Sequence, residues 1–325
     1  MQAIHIVLIV LAVLVSVLAV LTVAAYGVLS YIAGRRQPKI FEKIADKVKA
    51  KIDDDEKYTD FTAANELKKR ELLENPLKRL EIKNAENMRL IGHLYESGTP
   101  SDKYALLCHG HGSSGLNEFA YWAEYFHKRN YNVLMIDHRA CGESDGKYMT
   151  FGLKESEDTM LWIDELIGLY GGDIKIFVFG ISMGAATVLM LSGMKTPDCV
   201  KAFAAESSYS SAWDEYVYIM KEDLHMPVFP ALHYVNLLSK IIAKFDFKKA
   251  SPIESVKKTT KPLMIIHGGA DDFVPLFMGE QLYEACASEN KEFHIVEGSI
   301  HARCYQTNSA LCEELTDKFT EKYVK

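Results

Sequence analysis

Apolar residues run almost without interruption over residues 4–26, and no Lys, Arg, Asp or Glu occurs between Met1 and Gly34. A helix needs about 20 such residues to cross a bilayer, so this block predicts a transmembrane anchor. A secretory signal would instead carry a basic lead and a shorter apolar core. Over residues 38–52 the pattern changes: Phe41, Ile44, Val48 and Ile52 recur at helical spacing beneath a lysine-rich face. That spacing predicts an amphipathic helix whose apolar side meets either anionic lipid headgroups or protein. Asp53, Asp54, Asp55 and Glu56 end the segment as a solvated charge run.

From about residue 80 the apolar runs become short. Residues 80–83 and 89–95 read as a hairpin, and residues 104–108, 132–136, 174–179, 200–205, 263–266 and 293–296 as further strands, with amphipathic helical stretches in most intervals. Continuous apolar strands alternating with helices predict an α/β fold, a mostly parallel sheet covered on both faces. The interval 207–258 is too long for a simple crossover and is rich in aromatics, so it predicts a helical lid. Trp213, Tyr216 and Phe229 are its candidate substrate-binding residues, with helices expected over 213–220 and 231–243 and breaks at Pro227 and Pro230. The expected division is an anchor over 1–34, a charged linker and amphipathic helix over 35–78, and an α/β domain over 79–325.

Composition narrows the function. A length of 325 residues with 48% hydrophobic residues supports a large core, and a net charge of -7 argues against a general nucleic-acid binder. Cys108, Cys141, Cys199, Cys286, Cys304 and Cys312 lack the dense spacing of a disulfide scaffold and read as free thiols. No regular Cys/His ligand spacing suggests a metal site. Basic residues gather only after the apolar block, at Arg35, Arg36, Lys39, Lys43, Lys47, Lys49 and Lys51. The positive-inside rule therefore puts the main domain in the cytoplasm, with an extracytoplasmic placement as the alternative.

The chemistry gathers at three places. Gly180-Ile181-Ser182-Met183-Gly184 joins an apolar strand to an apolar helix, the context in which a G-x-S-x-G turn exposes a nucleophilic serine. His267-Gly268-Gly269-Ala270-Asp271-Asp272-Phe273-Val274-Pro275 follows the strand over 263–266, and Glu297-Gly298-Ser299-Ile300-His301 follows the last strand. All three fall at C-terminal strand ends, where open α/β sheets carry their functional loops. Ser182, an aspartate and His301 can therefore converge despite their separation in sequence. Gly142-Glu143-Ser144-Asp145-Gly146-Lys147 is one residue short of a phosphate loop and has Tyr148 where Ser or Thr would bind magnesium, so it is set aside.

Together with His109-Gly110-His111-Gly112 and Asp137-His138-Arg139-Ala140-Cys141-Gly142-Glu143-Ser144, these segments resemble the α/β-hydrolase fold superfamily, particularly its bacterial, membrane-anchored, serine-aminopeptidase-like branch. The resemblance runs from about residue 80 to the C-terminus. It implies Asp271 as the acid in preference to Asp272, and His301 as the base in preference to His267 and His294. The backbone N–H groups of His111 and Met183 become the implied oxyanion donors. Ala140 and Ile300 replace glycines of the usual pattern, and each is expected to alter a turn.

The expected activity is hydrolysis of esters or thioesters with apolar acyl groups through an acyl-enzyme, without a cofactor. A serine aminopeptidase is the alternative, for which Glu206, Asp214 and Glu215 are candidate amine-binding acids. A non-catalytic membrane-anchored binding protein is the alternative of another class. The expected partners are a small acyl substrate and the membrane.

Overall fold

The computed structural model describes residues 2–35 and 56–325, with side chains from Ile4 onward in the first segment and from residue 64 in the second. The amphipathic run through Phe41, Ile44, Val48 and Ile52 lies outside the described residues.

Eight strands form one sheet: β1 (Lys78–Lys83), β2 (Arg89–Tyr95), β3 (Lys103–Cys108), β4 (Asn132–Ile136), β5 (Lys175–Ile181), β6 (Val200–Glu206), β7 (Leu263–Gly268) and β8 (Lys291–Val296). Their order is β1-β2-β4-β3-β5-β6-β7-β8. β2 runs antiparallel to both β1 and β4, and the other pairings are parallel. Strands β3 to β7 are buried at nearly every position. That explains why their sequences are continuous apolar runs: helices cover both faces, so neither face can remain polar.

The helices are α1 (Gln2–Ala33), α2 (Glu56–Leu73), α3 (Ala120–Lys128), α4 (Leu153–Tyr170), α5 (Met183–Ser192), α6 (Ala212–Tyr218), α7 (Ala231–Leu238), α8 (Leu276–Ala285) and α9 (Ser309–Tyr323), with a few shorter turns between them. One core lies between the sheet and the face carrying Trp162, Ile163, Leu166, Val188 and Leu189, and a second between the sheet and Phe119, Trp122, Phe126 and Phe319. α5 is buried at all ten positions. The apolar sequence of α5, which has no polar face, is therefore that of a central core helix, read correctly only in its tertiary setting.

Arg139 joins the loop after β4 to α4 through two hydrogen bonds to Asp158, at 2.7 and 2.8 Å, and both side chains are buried. Such a pair contributes through its geometry: removing one partner would leave the other charge buried and unpaired.

Between β6 and β7 the lid comprises α6, α7 and the π-helical turns Ile219–Asp223 and Ser239–Ala243 that continue them. α1 is the one helix among the described residues long and apolar enough to cross a membrane. Its large residues from Ile4 to Val23 are exposed, but Ala25, Leu29 and Ala33 are buried in a third cluster shared with Phe151, Val235, Leu238, Phe245 and Phe247. The end of α1 is thus core of the folded domain. The last turns of the expected anchor over 1–34 therefore pack on the domain, and a hydropathy run alone does not distinguish lipid from protein as its apolar partner.

Candidate active site

Ser182 stands between the end of β5 and the start of α5 with φ 54° and ψ −117°, a strained backbone conformation for a residue with a side chain. Its N–H donates to the Glu206 carbonyl at 2.8 Å, and its carbonyl accepts the Ala186 N–H at 3.0 Å. The strain is therefore held by bonds on both sides. Gly180 and Gly184 are required by close approach: a Cβ on Gly184 would overlap the Cys108 carbonyl, and one on Gly180 would overlap the Gly184 backbone. Strand, turn and helix can be packed this tightly only without those side chains.

The Ser182 Oγ lies 2.8 Å from His301 Nε2, and His301 Nδ1 lies 2.9 Å from Asp271 Oδ2. A ring nitrogen facing a carboxylate carries the proton, so Nδ1–H donates to Asp271 and Nε2 is free to accept from the serine. Asp271 is fixed in turn, its Oδ1 accepting the N–H groups of Phe273 at 3.2 Å and Val274 at 2.8 Å. Three strand ends thus supply a nucleophile, a base and an orienting acid in one line. The order is the one required to draw a proton from a hydroxyl and stabilise the imidazolium that forms.

His267 takes a different place. Its Nε2–H donates to the Val274 carbonyl at 2.9 Å and stands 3.6 Å from Asp271, so it supports the acid's turn. Burial pushes its pKa down, in keeping with a neutral ring. His294 lies within β8 and meets Glu292 at 3.1 Å. Asp272 directly follows the acid but has no part in these contacts. His109 donates from Nδ1 to the Gly110 carbonyl at 2.6 Å and accepts the His138 N–H of the loop after β4 at 3.0 Å, so both its nitrogens are used in holding these two loops.

Met183 opens α5, where first-turn N–H groups have no acceptor within the helix. His111 lies in the loop after β3, its ring 5.8 Å from Phe151 and its Nε2–H donating to the Ile32 carbonyl of α1 at 2.7 Å. This bond across the fold gives no signal in the sequence. The Ala33 carbonyl also accepts the Met149 N–H at 2.8 Å, and the Arg35 N–H donates to the Lys147 carbonyl at 2.9 Å. The Arg35 guanidinium reaches the carbonyls of Gly142, at 2.7 Å, and Ser144. The loop that superficially resembles a phosphate site therefore receives the end of α1.

The three aromatics expected at the substrate part company. Tyr216 packs edge-on against Phe151 at 5.6 Å and Phe247 at 5.3 Å, which connects it to the His111 side of the site. Trp213 packs within the lid against His233 at 5.1 Å, with the Lys248 ammonium 4.3 Å above its ring. Phe229 is 71% exposed on the lid's outer surface, which corrects its expected place in the pocket. Its flanking prolines broke the helical pattern, but which side of the loop faced inward was decided by tertiary packing. Phe273, which the sequence reading passed over, places its ring 5.0 Å from that of His301. Its position two residues after the acid was the available signal.

The altered turns also resolve. Ala140 adopts φ 61°, the left-handed conformation that glycine would take more readily, and its N–H donates to the Asp145 carbonyl at 2.9 Å. Ile300 leaves His301 within reach of Ser182. All six cysteines are buried and free.

Of the three acids considered for an amine, Asp214 is exposed and accepts from Ser211 at 2.7 Å. Glu206 is buried and accepts the Cys304 N–H at 3.1 Å through Oε1, while its Oε2 has no partner. Burial raises its pKa to about 7. Glu215 is buried with neither oxygen partnered, and burial together with the nearby Asp271 raises its pKa well above the usual carboxylate range. A cleft of about 580 Å³ lies elsewhere, lined by Pro100, Lys103, Arg129 and Tyr170 among others. It contains no member of the Ser182, His301 and Asp271 line.

Comparison with known proteins identifies the family. The sequence profile of the prolyl oligopeptidase family matches residues 117–325. The Bacillus subtilis protein YqkD is 27% identical over 229 residues, 70% of this chain and 74% of YqkD. Among solved structures, the Pyrococcus furiosus esterase Pf2001 superposes with a TM-score of 0.64 at 26% identity, covering 78% of this chain and 95% of the esterase. The Pyrococcus horikoshii acylaminoacyl peptidase superposes with a TM-score of 0.58 at 18% identity, covering 77% of this chain and 42% of the peptidase.

Proposed function

The chain belongs to the prolyl oligopeptidase family within the α/β-hydrolase superfamily, and on that premise we propose that it is a serine hydrolase of carboxylic esters or thioesters with apolar acyl groups. The observation that carries this reading is the continuous line from Ser182 Oγ to His301 Nε2 at 2.8 Å and from His301 Nδ1 to Asp271 at 2.9 Å, mounted on a strained elbow. Ser182 attacks the acyl carbonyl while His301 takes its proton and Asp271 stabilises the imidazolium. The N–H groups of Met183 and His111 hold the oxyanion. His301 then returns the proton to the departing alcohol or thiol, and a water activated by the same ring releases the acid. These steps are carried by side chains and amides of this chain together with the attacking water.

Preference for apolar acyl groups is supported by the aromatic cluster of Phe151, Tyr216 and Phe247 beside His111, and by α1, which we read as a single-pass anchor. The positive residues after α1 put the domain on the cytoplasmic side in this reading. Thiol labelling of an introduced surface cysteine in intact cells tests that placement: reaction with an impermeant reagent would reverse it.

Glu215 favours a second reading, cleavage of an aminoacyl amide. A buried carboxyl with two unpartnered oxygens would gain a partner from a substrate ammonium. The purified full chain, presented with short- and long-acyl p-nitrophenyl esters, a thioester and an aminoacyl amide, separates the two. Ester turnover abolished by Ser182→Ala supports the first reading. Amide turnover that Glu215→Gln selectively removes supports the second. Turnover that survives Ser182→Ala would overturn the nucleophile.

A further inference from the structure

Residues 4–21 of α1 are exposed on all sides, and this bare stretch corresponds to about 27 Å of helix. From Thr22 onward one stripe is covered by the domain: Thr22, Ala25, Leu29 and Ala33 follow the i, i+3, i+7, i+11 spacing of a packing face, and the last three are buried. The lid begins at that same level, where the Tyr234 hydroxyl of α7 meets the Thr22 hydroxyl at 2.6 Å. A hydrocarbon layer about 30 Å thick drawn around the bare stretch therefore ends within the next turn, level with α7.

The outer side of the lid has the composition such a position requires. Phe229 is 71% exposed, Ile241 63% and Leu237 49%, although Leu232, Val235 and Leu238 on the opposite side of α7 are buried in the domain. Lys240 and Lys244 are exposed beside them. Their aliphatic stems can lie along acyl chains while the ammonium groups remain among headgroups. Leu237 and Ile241 stand four residues apart, and Phe229 meets His233, four residues before Leu237, at 5.4 Å, so the exposed apolar side chains follow one side of the lid, the kind of surface that meets lipid or protein.

Resting on the reading of α1 as an anchor, we propose that the outer face of the lid, through Phe229, Leu237 and Ile241, docks into the leaflet nearest the domain. The bilayer is then the occupant of this surface. Docking holds the site at the membrane boundary, and the natural substrate class becomes an acyl ester carried in that leaflet. α1 serves as more than a tether, because its Ile32 carbonyl holds His111 and its Thr22 holds Tyr234. Helix, lid and the loop after β3 therefore keep one orientation with respect to the lipid.

The test uses the full chain in phosphatidylcholine–phosphatidylglycerol vesicles. All native cysteines are buried, so a fluorescent thiol probe reports from introduced residues in four variants: Leu11→Cys in α1, Phe229→Cys and Ile241→Cys on the lid, and Lys318→Cys on α9. Nitroxide-bearing lipid should remove most of the emission at 11, 229 and 241, and aqueous iodide should do so only at 318. Lid probes that follow 318 while the probe at 11 follows lipid would overturn docking and leave the anchor standing. A probe at 11 open to iodide would overturn the anchor and the docking with it. Ile241→Asp should slow hydrolysis of a vesicle-borne long-chain ester and leave a water-soluble short-chain ester unaffected, whereas equal slowing of both would refute the link between docking and substrate supply.

Discussion

Glu206 offers a quantitative check on the environment behind Ser182. Its carboxyl is buried, with Oε1 accepting the Cys304 N–H at 3.1 Å and Oε2 unpartnered, and burial raises its pKa from 4.5 to about 7. In the unfolded chain the group ionises near 4.5. Between those two values the folded protein retains a proton that the unfolded chain has released, so stability falls as pH rises through the window and levels off above about 7. At about 1.4 kcal/mol per pH unit the displacement amounts to about 3 kcal/mol, an upper bound. Glu206→Gln keeps an acceptor for Cys304 and cannot ionise. Its backbone carbonyl still holds the Ser182 N–H.

The expected result is that the stability of Glu206→Gln minus that of the wild type increases by about 3 kcal/mol between pH 4.5 and pH 8. Urea unfolding of both proteins in the same micelles, followed by tryptophan fluorescence, reads this difference at each pH. Contributions common to the two proteins, including α1 in detergent, cancel. A difference that stays constant over that range would refute the argument, since the carboxyl would then titrate alike in both states.

Two further outcomes follow from the site and its loops. Asp271→Asn should lower kcat by about 10³–10⁴-fold with the fold intact, because an amide in place of Asp271 no longer selects the ring form that leaves Nε2 free for Ser182; a change below tenfold in steady-state ester assays would count against the relay. Ala140→Gly should raise stability by about 0.5–1 kcal/mol, since Ala140 sits at φ 61°, and denaturant melts showing a loss would indicate that its buried methyl contributes more than the strain costs.

Much of the catalytic arrangement was legible because its signals are local. The strand over 174–179 extends in the structure to Ile181, and Ser182 follows it in a turn that only small flanking residues allow. Asp271 and His301 each follow a strand end, so a parallel sheet brings them to one edge whatever their separation in sequence. The sequence could not show that Phe229 faces outward and Tyr216 inward, because both belong to aromatic stretches with breaks in their periodicity. It also could not show that Glu215 is buried without a partner, since an acidic residue in an amphipathic helix ordinarily faces solvent.

The apolar N-terminus shows the same division. Its hydropathy determined a long helix with no polar face, and the motif spacings determined an α/β sheet carrying its reactive groups on one edge. Only tertiary structure decided where that helix ceases to be bare, which of its turns are core, and that Ile32, Thr22 and Arg35 are bound to the loops and lid around Ser182. The physical reason is that apolar periodicity records that a surface must be covered, whereas the covering partner is selected by contacts between residues far apart in the chain.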